Sequence, residues 1–258
     1  MSEFLLREMS PFREDVWKQI DATVEEVAKQ HLVGRRFISL FGPLGIGALA
    51  VPVSQLAGKD EVRVTARDLL SFRVLQQDFV LSWEEFTTAK QLDVPVDLGP
   101  VAMAAVRLAQ QEDELIFDGL RQAKGAVSSP LGEWEKSGGA FAAVAAALEK
   151  LISAGIYGPY ALVLNPGLYA QLQRVMAGTG RLEITHVREL LGGNVYFAPA
   201  LKAREAFLVA NAPYNLDLAV AQDMITAYTG NQGLDHSFRL MEKIVLRVKR
   251  PDAICILK

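Results

Sequence analysis

The chain is 258 residues long, room for one large domain or two small ones, and its half-hydrophobic, 22% charged composition excludes a disordered chain. A net charge of −3 supplies no basic footprint for nucleic acid. The lone cysteine, Cys255, excludes an internal disulfide and a multi-cysteine metal site and fits a reducing compartment.

The opening MSEFLLREMSPF is too short and too acidic for a secretory signal. No apolar run nears the ~18 residues of a membrane span. A soluble, cytoplasmic chain without a membrane partner is therefore expected. Residues Pro11 to His31 predict the first helix, with Ser10 as cap and Trp17, Ile20, Val24, Val27 and His31 on one face. Phe4 and Leu5 need a hydrophobic seat, so the terminus should be docked. The alternating Phe37-Ile38-Ser39-Leu40-Phe41 reads as a short strand, broken by Gly42-Pro43.

Residues 48–78 predict two strands around a polar tip, with Val62, Val64 and Ala66 alternating against Arg63, Thr65 and Arg67. Such a hairpin has little core of its own to cover. From the residues alone an ordinary surface hairpin is an equal reading. Phe79–Trp83 predicts a strand and Glu84–Gln91 a helix.

Apolar residues from Val101 to Ile116 then recur at i, i+3/i+4, predicting a long helix within Asp97–Gly125. Asp97 can cap it, and Gly119 or Gly125 can end it. The acids Glu112, Asp113 and Glu114 near its end read as a solvated flank. Being consecutive, they fan around the helix and make a weak acid–base pair.

Val127–Gly139 is loop-rich and marks a plausible domain boundary. A helix over Ala140–Ala154, a doubly buried strand over Tyr160–Leu164 and a helix over Gly167–Met176 follow. Next come the loop Ala177–Gly180 and the mixed-charge stretch Arg181–Glu189. From Val195 onward the pattern is β, ending in an alternating strand around Ile244, Leu246 and Val248 with one wet face and a terminal apolar strand, Ala253–Leu257.

Nothing here assembles into a catalytic constellation, so no enzyme is expected. GPLGIG at 42–47 lacks the Lys-Ser/Thr of a phosphate loop. His31, His186 and His236 have no ligand-like partner at i+3 or i+4, so no metal is expected. Cys255 lies in an apolar strand, where a thiol is inert. The sparsely charged segments around Trp17/Ile20/Val24, after Gly34, and at Asp223–Tyr228 read equally as core or as a binding surface.

Three separated blocks in order, VGRRFISLFGPLG at 33–45, QQEDELIFDG at 110–119 and GPYALVLNP at 158–166, resemble the encapsulins, shell proteins with the HK97-type viral capsid fold. The resemblance implies a mixed α+β subunit: an N-terminal docking helix with the first part of a peripheral domain over 1–47, and an extended E-loop hairpin over 48–78 lying across a neighbouring copy. The peripheral domain with its long spine helix would occupy 79–135, an axial domain 136–220, and return strands to the peripheral sheet 221–258. It implies an icosahedral homo-oligomer enclosing a ferritin-like iron oxidase or a peroxidase, held through that enzyme's C-terminal peptide. The family's cargo groove carries over to Leu32, Arg35, Ser39 and Leu40 in the first block and to Ile225, Ala227 and Tyr228 in QDMITAY. This chain departs from some relatives in having Ser39 where they carry an acid. Arg181, His186 and Arg188 would line a pore at a symmetry axis. Some encapsulins hold a flavin against a tryptophan near Phe79–Phe86; here Glu84 stands at that position and Trp83 one residue earlier, turned to the other face, so no flavin is expected. The alternative is a phage capsid protein packaging DNA. Such proteins usually carry a scaffolding segment ahead of the capsid body, whereas this chain starts at once with its docking helix. A third class is a soluble enzyme such as a protease.

Overall fold

The computed structural model describes residues 3–57 and 61–258. A short N-terminal segment leads into α1 (Glu14–His31), whose buried face is Trp17, Ile20, Val24 and Ala28. The helix starts three residues later than its sequence suggests, and Ser10 instead accepts a hydrogen bond from the Trp17 indole. Val27 is only half-buried and His31 is exposed, so the seam follows Ala28.

The strand expected at Phe37–Phe41 is mostly a turn. Gly34–Arg36 form a single 3-10 turn, and only β1 (Leu40–Phe41) is extended. Phe37 and Ile38 point into the core beside Phe117 rather than alternating across a sheet.

The hairpin pairs β2 (Ala50–Ala57) with β3 (Arg63–Ser71) in antiparallel register. The Gly58–Asp60 part of its expected tip lies outside the described residues. Its second strand stops at Ser71, and β4 (Arg73–Leu81) leaves to join another sheet. Ser82 caps α2 (Trp83–Leu92) by accepting from the Glu85 N–H.

The long helix is α3 (Gly99–Gln122). Asp97 does not cap it but accepts from the Gly99 N–H in the turn before it. Gly119 does not end it either. A Cβ there would come within 2.7 Å of Leu246, so this glycine lets the helix lie close on the sheet.

After β5 (Val127–Ser129) come α4 (Gly139–Ser153), β6 (Tyr160–Leu164), α5 (Pro166–Gln171) and α6 (Glu183–Leu191). The remaining strands are β7 (Val195–Phe197), β8 (Ala206–Ala210), β9 (Leu216–Gln232), β10 (Asp235–Val248) and β11 (Ile254–Leu257).

Two larger sheets result. One has the order β1-β9-β10-β4, the other β5-β11-β8-β6-β7. The five-stranded sheet is covered on both faces, as the unbroken apolar run Tyr160–Leu164 requires. Leu162, Leu164, Leu208 and Cys255 face α4 and α6, while Ala161, Val163, Phe207 and Val209 face the end of α3. The other end of α3 packs Val101, Ala104 and Leu108 against α1 and the aromatic side chains of the four-stranded sheet. One helix thereby bridges both cores. The wet face expected on β10 is partly dry: Arg247 is buried, its charge paired with Asp217.

Candidate functional site

The face of α1 left uncovered by α3 forms one wall of a groove of about 760 Å³. Val24, Ala28 and Leu32 supply its apolar stripe, at the spacing that stacks side chains along one helix side. The opposite wall is a length of β9, Asp223 to Thr226, including Met224 and Ile225. β1 accompanies β9 only at Leu218 and Ala219, so this later part of the strand has its edge toward the groove.

Leu5 and Arg7 from the N-terminal segment close the remaining side. Arg7 fixes that segment three ways. Its guanidinium makes two 2.7 Å hydrogen bonds to Asp21, its Nε donates to the Thr226 carbonyl at 2.9 Å, and its charge lies 4.4 Å from the centre of the Trp17 ring. Lys29 pairs with Glu25 along the rim.

Arg35 closes the groove's end and reaches beneath it. Its Nε and Nη2 grip Glu112, with the shortest contact 2.7 Å; Nη2 also donates to Glu242 at 2.9 Å and Nη1 to Asp223 at 2.8 Å. Glu112 and Glu242 are buried. Burial pulls the Arg35 charge down, but the three carboxylates outweigh it and hold the guanidinium protonated. Next to it, Asp113 accepts from the backbone N–H groups of Val33 and Gly34 at 3.1 and 2.8 Å. Burial pushes the Asp113 carboxyl up to about 7, against the pull of those N–H donors.

Of the acids expected as a solvated flank, Glu114 is exposed, but Glu112 and Asp113 are structural. Glu112 and Asp113 staple the turn after α1 onto α3. Their partners lie some eighty residues away along the chain, and only the arginine pair Arg35-Arg36 hinted at them.

Of the groove residues expected from sequence, Leu32, Arg35 and Ile225 come together. Ser39 and Leu40 do not line the groove: the Ser39 carbonyl accepts from Leu218, and Leu40 sits half-exposed on β1. Ala227 and Tyr228 are buried, Tyr228 in the aromatic cluster with Trp17 and Phe238. Val24 and Met224 lie in segments whose sequence reads equally as core or binding surface, whereas Leu5, Arg7 and Ala28 had no such signal, Ala28 because the seam of α1 reads as core.

Arg181 precedes α6, His186 lies within it and Arg188 falls in its last turn, each with its own partner. Arg181 pairs with Glu189 and holds that carboxyl below its usual range. His186 lies 3.4 Å from the Thr179 hydroxyl, and Arg188 donates to the Tyr169 hydroxyl at 3.4 Å. Among the described residues no group of three His, Cys, Asp or Glu side chains is placed to hold a metal ion, and no helix is long and apolar enough to cross a membrane.

The architecture is that of a capsid subunit. A solved virus-like particle of Pyrococcus furiosus superposes with a TM-score of 0.83 at 22% identity, covering 94% of this chain and 99% of that one. The capsid of Myoviridae phage XM1 superposes at 0.63 with 13% identity, over 88% and 91%. Residues 1–245 match the family described as encapsulating protein for peroxidase. The type 1 encapsulin shell protein EncA of Myxococcus xanthus is 39% identical over 100% of this chain and 97% of its own length. A diheme-cytochrome–encapsulin shell fusion protein of Kuenenia stuttgartiensis is 36% identical over 94% and 72%. The chain belongs to the encapsulin family of shell proteins. That kinship, at far higher identity than the phage capsid, sets aside the DNA-packaging alternative.

Proposed function

We propose that copies of this chain close into a hollow icosahedral shell, and that the groove between α1 and β9 takes the C-terminal peptide of an enclosed enzyme. The groove carries the second half of this reading. It is apolar along its length, open at the surface, and its Arg7, Lys29 and Arg35 charges are paired within the chain. A short apolar peptide fits such a trough better than a charged ligand does. The hairpin carries the first half. Leu49, Val62, Val64 and Leu69 are exposed on it, an apolar surface that a neighbouring copy would cover.

In this reading the peripheral domain is built on the four-stranded sheet from 1–47, 73–126 and 216–253, and the reaching hairpin ends before β4. The axial domain takes 127–215 with the terminal strand β11, since β5 and β11 join the five-stranded sheet rather than the peripheral one. Arg181, His186 and Arg188 stand beside an axial pore. The compartment is cytoplasmic, the role structural rather than catalytic, and the cargo an oxidoreductase; the fusion of a related shell to a diheme cytochrome supports that class. Electron microscopy of the chain expressed alone, then with the enzyme encoded beside it, tests both halves. Hollow particles that fill with the enzyme are expected. Sedimentation as monomers or dimers overturns the first half, and intact particles that exclude the enzyme overturn the second.

A further inference from the structure

Beneath the groove, one guanidinium faces three carboxylates. Glu112 and Glu242 share the same Arg35 Nη2, and both are buried. The second Glu242 oxygen, Oε1, is buried and receives no hydrogen bond. An ionised carboxylate oxygen in that position is costly; a protonated one can donate, and Glu112, held on the same Arg35 Nη2, is the carboxylate beside it. Burial first, and the Glu112 charge second, hold the Glu242 carboxyl well above its usual range.

Taking the groove as the peptide site, we infer that Glu242, which shares Arg35 Nη2 with Glu112, carries a proton whose retention is linked to filling the groove, so that the occupant binds more weakly as that proton is lost. Arg35 and Asp223 are the link, because both line the groove and both touch the cluster. An apolar peptide laid over them expels water and lowers the local dielectric. The excess negative charge then becomes harder to bear, and Glu242 holds its proton more tightly.

The other charges around the cluster do not offset it. From the turn after α1, Arg36 is exposed and donates to the Gln30 carbonyl. From α1, Asp21 and Glu25 are paired with Arg7 and Lys29. From α3, Asp113 adds a further acid. On β10, Lys243 reaches away to the Ile46 carbonyl, and the β4 residue opposite Glu242 is the apolar Leu75.

Titrating a labelled synthetic peptide, the C-terminal residues of the enzyme encoded beside this chain, into empty assembled shells tests the linkage by fluorescence anisotropy between about pH 6 and 9. Affinity should fall with rising pH by up to about tenfold per pH unit where Glu242 titrates, one proton per groove. Glu242→Gln, which keeps a hydrogen-bond donor there permanently, should flatten that slope, and Asp113→Asn should leave a slope in place. Binding that is equally tight across the range overturns the inference and leaves the groove reading intact, whereas no binding at any pH overturns the groove reading and the linkage with it. Infrared spectroscopy of empty shells supplies a second readout. In the Asp113→Asn background a protonated-carboxyl carbonyl band should persist at neutral pH and disappear on Glu242→Gln. If Glu242→Gln shells do not assemble, the wild-type slope and the presence of that band decide; absence of the band at neutral pH overturns the inference.

Discussion

Gly34 shows how much one missing side chain can hold. A Cβ there would come within 2.4 Å of Ile116 and 3.3 Å of the Asp113 carboxylate that its own N–H serves. Gly34→Ala should therefore force the Ile116 δ-methyl aside within this buried joint and lower stability by about 1–3 kcal/mol at most, read as a drop in Tm at fixed pH. Asp113 makes the same joint pH-dependent. Its carboxyl is raised to about 7, so between the usual carboxylate range and neutrality the folded chain holds a proton that the unfolded chain has released. Stability from this group is thus full in acid and is lost as pH rises through neutrality. Melting at mildly acidic and mildly alkaline pH should show a higher Tm in acid, and Asp113→Asn should shrink the difference. None of this was legible in QQEDELIFDG. Spacing along a helix tells which side chains share a face, but not which distant arginine or backbone amide will meet them.

At the scale of elements, periodicity succeeded where an element is long or buried on both faces. The long helix, the Ala-rich helix and the strand Tyr160–Leu164 are present as their patterns predict. It failed at Phe37–Phe41, where apolar residues follow one another because a turn is sinking into the core, not because a strand is alternating. It also failed on β10, where a buried arginine reads as a wet position. Arg247 makes two hydrogen bonds to Asp217 at 2.6 and 2.7 Å, lies over the Phe41 ring, and donates to the Pro52 carbonyl at the hairpin base. Val51 and Phe72 pack there on Ala219 and Ala221. The hairpin is held at its root and exposed beyond it. Arg247→Ala leaves Asp217 paired with Lys249, so its cost should fall below the ~3–5 kcal/mol of a buried charge left alone. It should also loosen the root, seen as faster hydrogen exchange across Ala50–Val53. Removing the tip, residues 58–61, should leave the subunit folded and impair assembly; truncated chains that still form shells of unchanged Tm would make the hairpin a surface loop only.

For the whole molecule, the groove and the shell should be separable by mutation, and the geometry selects the residue. Ile225 lines the groove and is only partly covered within the chain, whereas Leu40, assigned to the groove by likeness to the family, stands outside it on β1. A peptide that buries one leucine or isoleucine on Ile225 gains roughly 1.5–3 kcal/mol from that contact. Ile225→Asp removes the apolar partner and places there a carboxylate that the peptide must desolvate without a counter-charge, because the nearby Arg35 is already engaged by three acids. A combined loss of about 3 kcal/mol weakens each contact by roughly two orders of magnitude. Multiple grooves cannot compensate, since every subunit carries the same change and effective concentration multiplies an affinity that is already lost. Co-expression with the neighbouring enzyme, followed by counting enzyme copies per purified particle, should give intact, nearly empty shells for Ile225→Asp. Leu40→Asp should load normally if its shell forms, because Leu40 is not part of the trough's lining. Full loading of Ile225→Asp would remove this groove from cargo capture, and loss of loading in intact Leu40→Asp shells would move the site to the β1 side of β9.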